Sequence, residues 1–194
     1  MNDFDFEFQS IRQRYKGPEE RDLHLKIYEY GNDVLEVNLI NKHFSRLRRS
    51  LQKQVVWMFI VMIITLLVKI SLNFYSSIIN FLLLFWLIIK VWSISSLVKN
   101  EKFIFCYDFG LQIQTTTFLT KSNYFMAASS IHDIVINEVL ENFDFHYLLI
   151  VRTKGVLFRK KPIIPIFKHL KPCGDCLHII YKHLNKTMRK TCHE

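Results

Sequence analysis

The spacing of apolar residues changes character along this chain, and each change predicts a different element. Leu23, Leu25 and Ile27 alternate with polar neighbours in LHLKIYEY, and VLEVNLIN alternates again after Gly31, Asn32 and Asp33. That is the pattern of a β-hairpin with one apolar face. From Val55 the alternation stops: VVWMFIVMIITLLV and the four residues Lys69 to Leu72 make a run of 18 with one charge, close to the ~20 residues of a helical membrane span. After Asn73 to Ser77 a second apolar run, Ile78 to Leu97, contains FLLLFWLII and one charge, Lys90. Both runs are apolar nearly all round, whereas the helices of a soluble hairpin carry a polar face. Beyond them come KFIFCYDF, a break at Gly110, LQIQTTTFL, FMAASSIHDIVINEVL, FHYLLIVR and GVLFRKK. These segments are rich in β-branched and aromatic residues and read as at least five successive strands with turns at Asp108 to Gly110, Glu141 to Asn142 and Thr153 to Gly155. Leu177, Ile180, Tyr181 and Leu184 then recur at helical spacing and predict a closing amphipathic helix near Cys173 to Thr187.

The expected architecture is therefore an α+β membrane protein, in which a two-helix transmembrane hairpin precedes an antiparallel β domain capped by a C-terminal helix. Its layout resembles the pleckstrin-homology-like (PH-like) domains of small membrane proteins, a likeness of architecture that names no function. The segments are an N-terminal part with the β-hairpin (1–54), the helical hairpin (55–97), the β domain (101–187) and a flexible tail (188–194). With Gly and Pro together contributing 9 residues and half the chain hydrophobic, disorder and collagen-like repeats are excluded.

Charge sharpens the membrane reading. The formal net charge is +9, and between Val37 and Asn100 there is no Asp or Glu, while Lys42, Arg46, Arg48, Arg49, Lys53, Lys69, Lys90 and Lys99 are basic. An excess concentrated beside the apolar runs is membrane flanking and not a nucleic-acid groove. The uncharged Asn73 to Ser77 connection, with basic residues outside both runs, orients both termini toward the cytosol. Lys69 sits near a span end, where its stem reaches the interface. Lys90 lies deeper, as an intramembrane charge with three outlets: snorkelling, helix tilt, or a polar group on a partner subunit.

Candidate chemistry is sparse. Cys173-Gly174-Asp175-Cys176 is a lone CxxC, and Cys192-His193 completes a zinc set only by folding the terminus back. The simpler reading is a helix start with one Cys in the core. The eight His form no HExxH, His178 and His183 fall on different helix faces, and each Gly stands alone at a turn, so neither a metal site nor a phosphate loop is expected. Asp133, Glu138, Glu141 and Asp144 are spread through strands and a turn, unlike a carboxylate pair flanking a cleft. No catalytic residue, cofactor or metal is assigned.

Asp133-Ile-Val-Ile-Asn-Glu-Val139 followed by FHYLLIV resembles the PIG-H family signature, DVVINE followed by a Tyr-rich strand. Pro165-Ile-Phe167, Lys171-Pro172, Asp175-Cys176-Leu177 and Ile180-Tyr181 are similar to the family's closing pattern, and Gly110-Leu-Gln-Ile to its Gly-Val-Gln-Leu strand. The likeness covers roughly Glu101 to Leu184, with Cys173-Gly174 a departure from a bulkier pair. It implies a non-catalytic subunit of phosphatidylinositol N-acetylglucosaminyltransferase at the endoplasmic reticulum, where the complex begins GPI-anchor synthesis. The implied partners are the catalytic subunit PIG-A, the subunits PIG-C, PIG-P, PIG-Q and PIG-Y, and membrane lipids, with no nucleic acid. Asp133, Asn137 and Glu138 are the candidate partner-binding residues. Asn137 and Glu138, taken to end a strand before the Glu141 to Asn142 turn, have two roles open: bracing that turn or touching the catalytic subunit. A competing reading is a free-standing lipid-binding protein that holds headgroups through Arg152, Lys154, Arg159, Lys160 and Lys161.

Overall fold

The structure, a computed structural model, describes residues 2–8, 22–31, 33–72, 77–141 and 144–190. Asn32, the 73–76 connection, Asn142 and the Cys192-His193 pair lie outside these residues. The strands are β1 (Asn2–Phe8), β2 (Leu23–Tyr30), β3 (Val34–Asn41), β4 (Val98–Cys106), β5 (Gly110–Thr117), β6 (Lys121–Ala127), β7 (Ile131–Glu141), β8 (Asp144–Thr153) and β9 (Ile163–Ile166). The helices are α1 (Phe44–Leu72), α2 (Ser77–Ser95), the short α3 (Gly155–Lys160) and α4 (Gly174–Lys190). They divide into two compact units: one of Met1–Lys42, Val98–Thr116 and Lys121–Glu194, the other of His43–Leu97 and Thr117–Thr120.

The first unit holds a six-stranded sheet in the order β1-β2-β3-β4-β5-β6 and a three-stranded sheet β7-β8-β9; every register given is antiparallel. Strand alternation sorts the side chains. On one face Leu25, Ile27, Leu35, Val37, Leu39 and Phe103 are fully buried, and they join Leu149 and Val151 of β8 and Leu177, Ile180 and Leu184 of α4 in one core. Each such burial stabilises by about 1.5–3 kcal/mol. The opposite face is polar and pairs charges across strands: Asp5 with His24 and Lys26, Glu7 with Lys42 at 2.8 Å, and Glu36 with Lys102 at 2.7 Å. Pairs of this kind contribute little energy when exposed, but they keep that face wet and the register fixed. The β2–β3 hairpin is thus an integral part of the sheet: β3 pairs with β4 from Val34 opposite Cys106 to Ile40 opposite Asn100, across the whole intervening helical segment.

Glycine is required at Gly110, whose φ is +133° and where a Cβ would lie 2.1 Å from the Met126 carbonyl oxygen. At α4 the expected amphipathic helix is present and continues to Lys190, three residues into the stretch anticipated as a tail.

Two local expectations are corrected. GVLFRKK is a helix at Gly155–Lys160 and not a strand. Of its apolar residues, Leu157 packs on the core, while Val156 and Phe158 stay exposed; a strand would have grouped Val156 with Phe158. The turn is closed when Lys161 donates its N–H to Leu157 and Thr153 donates its hydroxyl to the Lys161 carbonyl. Second, FMAASSIHDIVINEVL is two strands in different sheets, β6 and β7, divided by a single helical turn at Ala128–Ser130.

The second unit is the helix pair. On α1, Phe44, Arg48, Leu51, Val55, Met58, Met62 and Thr65 form the less exposed stripe, and on α2 it is Leu83, Leu87, Lys90 and Ile94. These spacings of three and four residues are one helix face each. The remaining apolar surface includes Phe81, Phe85 and Trp92, all exposed. Among the described residues one stretch, Phe44–Leu67, is long and apolar enough to cross a membrane, whereas Phe81–Ser95 is a shorter apolar helix.

Candidate functional site: the β7–β8 hairpin and the helix pair

The sequence assigns three residues to β7, and strand geometry decides what they can share. β7 continues to Glu141, so Asn137 and Glu138 lie within the strand and not at its end. Successive side chains alternate: Asp133 and Asn137 face one way and Glu138 the other. Asn137 is opposite Leu148, Glu138 opposite Tyr147, and both are exposed. They do not converge on one site.

Asp133 is engaged by the strand beside it. Arg152, its pairing partner, donates Nε to one carboxylate oxygen at 2.6 Å and Nη2 to the other. The Arg152 hydrogen bond holds the Asp133 carboxyl below its ordinary range, and the same contact raises the guanidinium. One of the five cations considered for headgroup binding is therefore already neutralised. Another, Lys161, has its Nζ 5.3 Å from the Tyr124 ring centroid.

The Glu138 face carries a different message. Ile134 and Ile136 begin it, opposite Val151 and Leu149, against the core. Further along, the same face presents Tyr147 opposite Glu138 and Leu140 opposite Phe145; Leu140 is 63% and Phe145 65% exposed. The hairpin thus extends an apolar face past the end of its own core. Tyr147 is anchored over the start of α4: a Cβ on Gly174 would lie 3.2 Å from its ring. The small residue in the CxxC therefore makes room for a ring from β8. Cys173 is exposed and Cys176 buried, and burial pushes the Cys176 thiol up, away from the reactive thiolate. No group of three or more His, Cys, Asp or Glu that could hold a metal occurs among the described residues.

In the helix unit, Lys90 donates to Gln54 Oε1 of α1 at 3.0 Å, with its ammonium 5.5 Å from the Trp86 ring centroid. This polar partner is in its own chain, and the contact joins α1 to α2.

Sequence reasoning passed over two buried carboxylates. Glu101, 2% exposed, accepts the backbone N–H groups of His169 and Leu170 and so braces a turn in which Phe167 and Lys171 have positive φ. Burial raises its pKa, opposed by those N–H bonds. Glu29, 6% exposed, meets His183 Nδ1 at 2.8 Å and Lys186 Nζ at 2.9 Å. Burial raises its pKa, but the hydrogen bonds from His183 and Lys186 outweigh that and leave it lowered. A signal existed for both: Glu29 continues the inward parity of Leu23, Leu25 and Ile27, and Glu101 that of Phe103 and Phe105.

The buried carboxylates brace a turn and join elements, and the exposed apolar surface includes the β7–β8 hairpin end and the helix pair. Residues 92–168 match the family model described as PIG-H, the GPI-GlcNAc transferase complex, PIG-H component. The matched stretch runs from the last residues of α2 through β9. No curated protein and no solved structure matches the chain.

Proposed function

We propose that this chain is the membrane-tethered, non-catalytic PIG-H subunit of the GPI-GlcNAc transferase complex, which transfers GlcNAc from UDP-GlcNAc to phosphatidylinositol. The observation that carries the reading is the family match over 92–168, which begins inside an apolar helix and continues through six strands. α1 and α2 form a transmembrane hairpin in the endoplasmic reticulum membrane, with both termini in the cytosol. The sheet unit docks the catalytic subunit, PIG-A, close to the bilayer, beside PIG-C, PIG-P, PIG-Q and PIG-Y. A water-soluble donor and a lipid acceptor then meet without the full entropy cost of a free encounter. The docking surface is the β7–β8 hairpin, where exposed Leu140, Phe145 and Tyr147 surround Glu138; an apolar patch rimmed by polar residues is the usual form of such a surface.

A free-standing lipid-binding protein fits less well, since Arg152 already holds Asp133. Pull-down of the tagged full chain from a mild-detergent extract separates the two. Recovery of a UDP-GlcNAc-dependent transferase with the chain supports the subunit reading. A chain that extracts alone and binds anionic liposomes through its β domain refutes it.

A further inference from the structure

Between α1 and α2 lies a cavity of about 480 Å³, within the ~300–1,000 Å³ usual for small-molecule sites. Its walls are nearly all apolar. Trp57, Met58 and Val61 of α1 face Leu83 and Trp86 of α2, one helical stripe against another. At one end the lining becomes polar and cationic, with Lys53, Gln54 and Lys90. Lys53 stands two residues before the apolar run begins, and Lys90 five before α2 ends at Ser95, so both amines lie at the same end of the antiparallel pair. Trp57 and Trp86 stand one turn deeper, the arrangement of an aromatic belt beneath a charged rim.

We infer that this cavity is a binding site for one anionic phospholipid, its phosphodiester held by the Lys53 and Lys90 ammonium groups and an acyl chain laid along the Trp57, Met58 and Leu83 wall. The inference rests on the proposed membrane insertion of α1 and α2. Charge complementarity carries it: with no Asp or Glu between Val37 and Asn100, the helix pair offers these two amines no carboxylate of its own. The Gln54 carbonyl oxygen accepts from Lys90, which leaves the Gln54 amide N–H₂ to donate to a phosphate oxygen. A transmembrane helix of a partner is about 10 Å across and 30 Å long, far more than this cavity encloses, whereas a single acyl chain is slender and flexible enough for it. Anionic lipid is favoured near a surface by about fivefold for each lysine.

The test uses the full chain with Trp92→Phe, which removes the exposed tryptophan outside the cavity and leaves Trp57 and Trp86 of the three tryptophans as reporters. The chain is reconstituted in phosphatidylcholine vesicles and titrated with brominated-acyl phosphatidylglycerol or brominated-acyl phosphatidylcholine as quencher. Quenching by the anionic lipid at roughly fivefold lower mole fraction or less is expected. Lys53→Gln, an exposed position, should halve the preference or more; adding Lys90→Gln should abolish it, and Lys53→Arg with Lys90→Arg should restore it. Equal quenching by both lipids leaves the membrane reading in place and overturns the site. Loss of the preference on adding millimolar inorganic phosphate overturns the lipid as occupant in favour of a free anion. Quenching by neither lipid overturns the membrane insertion and the site with it.

Discussion

The two units use apolar residues in opposite ways. In the sheet unit, Leu25, Ile27, Phe103 and Leu177 are at 0% exposure and the polar side chains face outward in cross-strand pairs. In the helix pair Trp57, Phe81 and Trp92 are 69%, 69% and 75% exposed, and the Lys90–Gln54 hydrogen bond that links the helices is itself exposed. One arrangement is stable because water expels the buried face. The other leaves no such driving force unless its surroundings are themselves apolar, since exposed patches of that size are rare on soluble monomers. The difference supports the proposed membrane insertion of α1 and α2, which lie in sequence between β3 and β4, strands that pair with each other.

The largest effect tests this division. With α1 and α2 as the proposed anchor, replacing Val55 to Leu97 by a short Gly/Ser linker should convert the chain from an integral membrane protein to a soluble one, because it removes helices that satisfy their own backbone groups and are apolar on their surface. The sheet should survive, since Ile40 and Asn100 are already paired neighbours that a few residues can connect. Alkaline carbonate extraction from cells lacking the other subunits checks it. A deletion chain that stays in the resistant membrane fraction breaks the comparison.

Next in size is a matched pair of truncations. Leu177→Ala opens a cavity in the core, and unfolding of the deletion chain in urea should show a loss of about 2–5 kcal/mol. Trp92→Ala removes a far larger side chain from an exposed position, and the full chain in detergent should keep its helix content and melting temperature within error. Equal destabilisation by the two would mean that Trp92 is packed within the protein, contrary to its exposure.

How far the sequence foretold this depended on whether a local pattern was enough. The β2–β3 alternation, the apolar helical runs and the α4 stripe all follow from periodicity, and Leu23, Leu25, Ile27, Leu177, Ile180 and Leu184 are buried as their spacing implies. What periodicity does not carry is pairing at a distance. Nothing in VLEVNLIN announces that its partner is the strand beginning at Val98. Short amphipathic pieces also fail: Gly155–Lys160 has strand-like composition, but one inward side chain, Leu157, fits a helical turn. For the candidate site, Asn137 and Glu138 were recognisable as exposed polar residues, yet with the strand end misplaced their opposite orientation was not. The apolar end formed by Leu140, Phe145 and Tyr147 depends on register and on where α4 stops covering the sheet.

A moderate effect should appear in the pH dependence of the sheet unit. The Glu29 pKa is lowered from 4.5 in the folded state, so its contribution is present above pH 4.5 and lost as pH falls through the folded value. Glu101 is raised from 4.5, so its contribution is present below 4.5 and lost as pH rises through the folded value. Urea midpoints of the deletion chain across pH 3 to 8 should fall at both ends. Glu29→Gln should flatten the acid limb and Glu101→Gln the alkaline one, the latter also losing about 1–3 kcal/mol as one backbone N–H goes unpaired. An alkaline limb unchanged by Glu101→Gln would show that this carboxyl is not the group responsible.

The smallest effect on stability separates the two faces of β7. Asn137 and Glu138 are both exposed, so single alanine substitutions should change the stability of the domain by no more than about 0.5 kcal/mol. Their consequences for the complex should differ. Glu138 lies on the face with Tyr147, Leu140 and Phe145, and charged or polar groups at the rim of an apolar patch chiefly set specificity and association rate. Glu138→Ala should therefore reduce co-purified transferase and surface GPI-anchored proteins while leaving expression and membrane insertion unchanged. Asn137→Ala, on the face of the Asp133–Arg152 ion pair, should retain both, and Leu140→Ser with Phe145→Ser should produce a larger loss than Glu138→Ala. Should Asn137→Ala give the larger loss, the docking face is the one bearing Asp133 and not the apolar hairpin end. If neither face affects recovery of the transferase, β7 and β8 serve the fold alone, and the partner surface must be sought on the outer face of the six-stranded sheet.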